Sequence, residues 1–143
     1  MTIRDATAAD AAEVAALLGE LGYPTSAGEA AERLGRSDGR VLVAESEGRV
    51  VGVAALAVAP QLHYAAPVAR VTTLVVSEPA RGCGAGRRLM ARAEELAREA
   101  GCHDIELTSG IRLEREAAHR FYETLGYERA SYHFHRRLDG GKC

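Results

Sequence analysis

The sequence predicts an α/β domain built on a mixed central β-sheet, and three observations carry that reading. The hydrophobic period changes from helical spacing to strand-like runs and back, in the order β-α-α-β-β-β-α-β-α-β. The run 68–76 ends in Leu74-Val75-Val76, apolar enough for a central strand buried on both faces. A glycine-rich turn, Arg81-Gly82-Cys83-Gly84-Ala85-Gly86, follows it directly and opens a long amphipathic helix. A chain of 143 residues fits one compact domain, 1–143, with a single core.

Each element has its own signal. Ile3 and Arg4 begin a short first strand. Thr7 and Asp10 stand three apart, the spacing of a capping box with Asp in place of Glu. Ala11, Val14, Leu17, Leu18 and Leu21 then form one apolar helix face, stopped at Gly22-Tyr23-Pro24. Ser26 and Glu29 repeat the capping signature for a second short helix, closed near Gly35. The runs 41–44 and 50–59 read as strands joined by a Glu47-Gly48 hairpin turn. After the fourth strand, 68–76, the helix that runs to Ala100 turns Leu89, Ala93, Leu96 and Ala97 inward. Residues 105–108 form a strand, 115–125 a helix stopped by Gly126, and 131–138 a last strand.

The composition, 47% hydrophobic and 27% charged, is that of a folded globular protein. Eighteen basic residues against 20 acidic ones leave a formal charge of -2, which argues against a nucleic-acid partner. Cys83, Cys102 and Cys143 are an odd set without CxxC spacing, expected as free thiols in a reducing cytoplasm. No apolar run in the N-terminal MTIRDATAAD marks a secretory signal, and no segment is apolar for long enough to span a membrane.

The strongest chemical signal is the glycine turn. A helix start carries unpaired N–H groups and a partial positive charge, so it favours phosphate. Glycines let an anion approach the backbone, and Arg81, Arg87 and Arg88 lie beside them. A P-loop would need Gly-Lys-Ser/Thr, but Gly86 is followed by Arg87-Arg88. Counting from Gly82, the sixth position of a dinucleotide fingerprint is Arg87, not glycine. A turn that merely caps the helix remains open on these residues alone.

Arg81, Gly84 and Gly86, in the spacing Arg/Gln-x-x-Gly-x-Gly/Ala after a buried strand, resemble the pyrophosphate loop of the GNAT acetyltransferase superfamily. Downstream, Ala118-His119-Arg120-Phe121-Tyr122-Glu123-Thr124-Leu125-Gly126-Tyr127 resembles that superfamily's Phe-Tyr-Glu-x-Leu-Gly-Phe/Tyr helix. The resemblance implies a GNAT fold, its sheet splayed between strands 4 and 5, with acetyl-CoA as cosubstrate and an amine as acceptor. It also implies that main-chain groups of Leu74, Val75 and Val76 pair with the pantetheine arm. The N–H groups of Gly82, Cys83, Gly84, Ala85, Gly86 and Arg87, with Arg81 beside them, would hold the pyrophosphate, and Tyr122 would protonate the departing thiolate. A homodimer is left open.

Acetyl transfer needs an uncharged amine, because an ammonium has no lone pair; an alkylamine near pKa ~10 must first lose a proton. The tetrahedral oxyanion needs a donor, a role the Val76 N–H could fill. The bland reading of Tyr122 is packing, although Phe121 is expected to take the inward position and leave Tyr122 about 100° round the helix. Where many relatives carry a glutamate base in the fourth strand, this chain has Thr72-Thr73, and where many carry asparagine it has Arg115. Water, Glu106, Glu114, His63 or His119 are the candidate routes for the proton. His133 and His135 share a face of the last strand and read as surface residues rather than a metal site.

Leu62-His63-Tyr64, the Tyr122 helix and Ser131-Tyr132-His133-Phe134 are most similar to the aminoalkylphosphonate N-acetyltransferase branch. That similarity implies a small primary amine bearing an anionic group, for which Arg112 and Arg115 are candidate partners. A protein or peptide acetyltransferase and a non-catalytic CoA-binding module are the alternatives.

Overall fold

The strand-like runs pair into a five-stranded sheet in the order β1-β2-β3-β4-β5: β1 (Thr2–Asp5), β2 (Arg40–Ser46), β3 (Arg49–Ala59), β4 (Val68–Val76) and β5 (Asp104–Leu107). The structure is a computed structural model and describes residues 1–36, 39–109 and 115–139. Arg112, Glu114 and Cys143 therefore lie outside the described residues. Strands β1 to β4 are antiparallel, and β5 joins β4 in parallel, so the sheet is mixed as expected. Glu47 and Gly48, with φ of 52° and 75°, form the tight β2–β3 turn that positive φ at both central residues allows. The chain divides into two compact units, Met1–Leu107 and Thr108–Cys143.

In the first unit, α1 (Ala11–Leu21) and α3 (Ala85–Glu99) cover opposite faces of the sheet. Val14 and Leu17 of α1 pack with Val43, Val53 and Val75. The residues next to two of these, Gly52 and Val76, point the other way, as strand alternation requires. A Cβ at Gly52 would sit 3.1 Å from Leu89 of α3 and 3.4 Å from Val76, so the missing side chain lets α3 lie close to β3. Leu89, Met90 and Ala93 are fully buried there. Helix α2 (Ala27–Leu34) rests on α1 through Ala30 against Ala11 and Ala15.

The helix ends follow the signals read in the sequence. Ser26 accepts the Glu29 N–H at 3.0 Å while Glu29 accepts the Ser26 N–H at 2.9 Å. Asp10 accepts the Thr7 N–H at 2.7 Å, and the turn Ala8–Asp10 is 3₁₀ before α1 begins. Among the described residues of the first unit, Asp10 is also the buried acidic one, held by both terminal nitrogens of Arg4 at 2.9 Å. Those bonds from Arg4 hold its carboxyl below the usual value of 3.8.

In the second unit, α4 (Glu116–Thr124) ends where Gly126 takes φ 96° and donates to the Glu123 carbonyl at 3.0 Å. The strand expected over 131–138 does not form: these residues have no regular secondary structure. The alternating pattern is present, but a strand exists only through a hydrogen-bonded neighbour, and period-2 patterning does not supply one. Tyr132, Phe134 and Leu138 are accordingly exposed. Without that strand His133 and His135 have no strand face to share, although their rings stack at 6.0 Å. Among the described residues no helix is long and apolar enough to cross a membrane.

Candidate active site

Strand β4 outruns its neighbour. Its pairing with β5 ends at Val71–Leu107, while its pairing with β3 continues to Val76 opposite Gly52. Residues Thr72 to Val76 thus have a strand on one side only within the first unit. The register against β3 slips at the same place, Ala55 facing Thr73 and Leu56 facing Val71, so Thr72 is the extra residue of a β-bulge. Its hydroxyl lies 3.5 Å from the Ala55 carbonyl.

Beyond the bulge the main-chain directions can be assigned. Ser77 N–H donates to the Val51 carbonyl at 2.8 Å, which turns Ser77 and Val75 toward β3. By alternation, Leu74 and Val76 present their N–H and C=O groups to the uncovered edge. Arg81 Nε donates to the Val76 carbonyl on that side at 3.2 Å. Arg81 is therefore a backbone clamp on the end of β4, whereas the sequence places it simply beside the anion.

The turn that follows is held from α1, where Glu20 accepts the Glu78 N–H at 3.0 Å. Gly82 and Gly84 take φ of 87° and 90°, a region closed to most side chains. Arg88 N–H makes the first α3 bond, to the Gly84 carbonyl, so the N–H groups of Ala85, Gly86 and Arg87 precede the helical ladder. The Cys83 N–H already donates to the Ala80 carbonyl at 3.3 Å. Arg88 is not at the turn as its position in sequence suggests: its guanidinium reaches the Met1 carbonyl at 2.6 Å. Arg87 is exposed, and Ala85 is buried under the helix start.

Tyr122 belongs to the second unit. Its ring meets Phe121 edge-on at 5.4 Å and Tyr127 at 6.3 Å. Tyr127 N–H donates to the Tyr122 carbonyl at 3.0 Å, which folds the residue after Gly126 back onto the helix. Phe121 and Tyr122 are both half-buried, where the periodicity gives the inward position to Phe121 alone. Burial pushes the Tyr122 hydroxyl above its ordinary 10, against the opposing charge of Arg115. At neutral pH it is a protonated donor.

The model of the Acetyltransferase (GNAT) family matches residues 12–127, a span that takes in β4, the glycine turn, α3 and the Tyr122 helix. The chain belongs to this family. As a GNAT member it is an acetyl-CoA-dependent N-acetyltransferase. The aminoalkylphosphonate N-acetyltransferase of Salmonella typhimurium is 36% identical over 141 residues, covering 95% of this chain and 90% of that protein. The aminoglycoside N(6')-acetyltransferase type 1 of Stenotrophomonas maltophilia is 34% identical over 135 residues, covering 89% and 86%. A solved acetyltransferase from Trypanosoma brucei superposes with a TM-score of 0.78 at 28% identity, covering 96% of this chain and 99% of that one.

Against the GNAT pattern, the candidate proton acceptors fare unequally. Glu106 is bound by Arg70 at 2.9 Å, so its carboxylate is engaged in an ion pair. His63 lies against Tyr64 in the loop before β4, the ring centroids 4.3 Å apart and the planes tilted by 37°, and His119 lies 3.9 Å from Glu116. Among the described residues no group of three or more His, Cys, Asp and Glu is arranged for a metal. The β-bulge and the Arg70–Glu106 pair are features that sequence reasoning missed. Both depend on register, and the visible trace of them is only the doubled Thr72-Thr73.

Proposed function

We propose that this GNAT enzyme acetylates a small primary amine that carries an anionic group. In this reading the pantetheine arm of acetyl-CoA pairs with main-chain groups of Leu74 and Val76, whereas Val75, expected to join them, turns its own toward β3. The pyrophosphate rests on the N–H groups of Gly82, Gly84, Ala85, Gly86 and Arg87, the Cys83 N–H being taken by the Ala80 carbonyl, with the Arg87 side chain beside it and Arg81 bracing the strand end. The observation that carries it is the continuity of the site. The uncovered edge of β4 runs straight into a turn whose glycines adopt positive φ at a helix start. An extended arm can hydrogen-bond the edge while the anion at its end takes the unsatisfied helix N–H groups.

The chemistry then divides among named groups. The Leu74 N–H, aimed at the open edge and nearer the reactive end of the arm than the Val76 N–H expected for this role, stabilises the oxyanion as the amine attacks the thioester carbonyl. When the tetrahedral adduct collapses, the carbon–sulfur bond breaks and Tyr122 gives its proton to the thiolate. The amine proton leaves through water, because Thr72 replaces a carboxylate and Glu106 is paired with Arg70.

The anionic acceptor is supported by the aminoalkylphosphonate relative and by that missing carboxylate, which makes the amine side less attractive to a polycation. The aminoglycoside relative is the natural contrast. The test compares kcat/KM for aminomethylphosphonate, spermidine, an aminoglycoside and a lysine peptide, with the products identified by mass. Highest kcat/KM for aminomethylphosphonate supports the reading; preference for any of the other three removes the anionic assignment.

A further inference from the structure

The cross-strand pair Arg70–Glu106 sits where the sheet opens. Arg70 faces Glu106 in the β4–β5 register, one residue before the last paired position, Val71–Leu107. The two side chains meet at 2.9 Å, and both remain partly accessible, Arg70 at 37% and Glu106 at 51%. Arg70 stands opposite Ala57 on β3, and Thr73 opposite Ala55. Alternation along β3 places Ala55 and Ala57 on the face of Val53, which is the α1 face. Arg70 therefore projects from the sheet on the α1 side, just beyond the bulge at Thr72.

Distances along the strand give this position its meaning. From Val76 to Thr72 the uncovered edge spans roughly 13 Å at the usual strand rise. An arm anchored at the glycine turn and laid along that edge points its reactive end toward Thr72. The guanidinium of Arg70 lies two residues further on, at the reach of a small acceptor whose amine faces the thioester. An ordinary exposed cross-strand ion pair adds little to stability, so fold stability gives little reason for a charge pair at this spot.

We propose that Arg70 is the specificity-determining residue of the acceptor site, binding the anionic group of a small zwitterionic amine, and that Glu106 is its positioning residue. This rests on the anionic-acceptor reading above. A guanidinium presents a planar fork that matches the oxygens of a phosphonate or carboxylate, and one anchored at a carboxylate holds that plane before substrate arrives. The same positive charge opposes a polycation. Glu106 acts through Arg70 and does not touch the substrate.

The experiment measures kcat and KM for aminomethylphosphonate and for ethylamine, whose tail is uncharged, in wild type, Arg70→Gln, Arg70→Lys and Glu106→Gln. The melting temperature and the KM for acetyl-CoA are followed alongside. In Arg70→Gln the ratio of kcat/KM for aminomethylphosphonate over ethylamine is expected to fall about 10- to 100-fold, the worth of a charge-assisted anion contact. Arg70→Lys retains the charge but not the fork and should fall between. It also decides the matter if the glutamine variant does not fold. Glu106→Gln should raise the KM for aminomethylphosphonate several-fold, with the kcat and the melting temperature little changed. An unchanged ratio in a folded Arg70→Lys or Arg70→Gln protein overturns the role of Arg70. If that happens while wild type still prefers aminomethylphosphonate, only this inference fails; if wild type prefers cationic amines, both fall together.

Discussion

At the scale of single residues, Tyr122 and Asp10 are held in opposite protonation states, the first by burial and the second by the hydrogen bonds of Arg4. Tyr122 is half-buried among aromatics, and its hydroxyl keeps its proton beyond the ordinary phenol range. Tyr122→Phe removes only the hydroxyl, so kcat should drop by about 10²–10⁴-fold while acetyl-CoA binding holds. A variant within a few-fold of wild type, with chemistry rate-limiting, would make Tyr122 a packing residue. The pH profile adds a second check. The rate should climb toward alkaline pH as the amine deprotonates, with no decline from Tyr122 below pH ~10. Asp10 runs the other way. Arg4 depresses its folded pKa, so its contribution is complete above the unfolded value, near 4, and disappears as pH falls through the folded value. Asp10→Asn should cost about 1–2 kcal/mol at pH 7, discounted because Arg4 is partly exposed. Urea titrations at pH 7 and pH 3 should show that difference shrinking in acid; a difference independent of pH would exclude the carboxylate charge as its source.

At the scale of elements, the junction of β4 and α3 carries the proposed cofactor site, and its glycines are where a substitution tells most. Gly84 has open space around it but φ 90°, so Gly84→Val strains the backbone without meeting a neighbour. Acetyl-CoA affinity should fall at least about tenfold, while the melting temperature shows only the modest cost of forced positive φ. Unchanged affinity in calorimetry would remove the turn from the cofactor site. Such junctions were legible in the sequence because they are local: Ser26 with Glu29, Glu47 with Gly48, and the glycine turn each announce their geometry within six residues. What depends on a distant strand was not legible. Thr72 becomes a bulge only because Leu56 pairs with Val71, and Glu106 meets Arg70 only through the β4–β5 register. Arg81 and Arg88 were placed correctly along the chain but not in space, because long side chains choose among carbonyls that sequence proximity does not rank. The run 131–138 had the pattern of a strand and lacked the neighbour that makes one.

At the scale of the whole molecule, the GNAT assignment joins two motifs that lie in different compact units, one ending at Leu107 and the other beginning at Thr108. Neither motif alone is specific, and the family match spans both, over residues 12–127. The edge of β4 left uncovered by β5 has a consequence outside catalysis. Unpaired strand edges are templates for other chains, and nature usually shields them with charge, proline or a covering element. Here the residues at the edge that is open within the first unit, Leu74 to Val76, are aliphatic, and in the proposed reading the cosubstrate itself would be the shield. Preparations stripped of CoA should therefore self-associate on storage, and added acetyl-CoA should keep them monodisperse as well as raise the melting temperature. Light scattering of stripped and replenished protein over days would decide this, equal growth of particles in both being the adverse result. A metabolite drawn on for group transfer would then also govern the shelf life of the enzyme that consumes it.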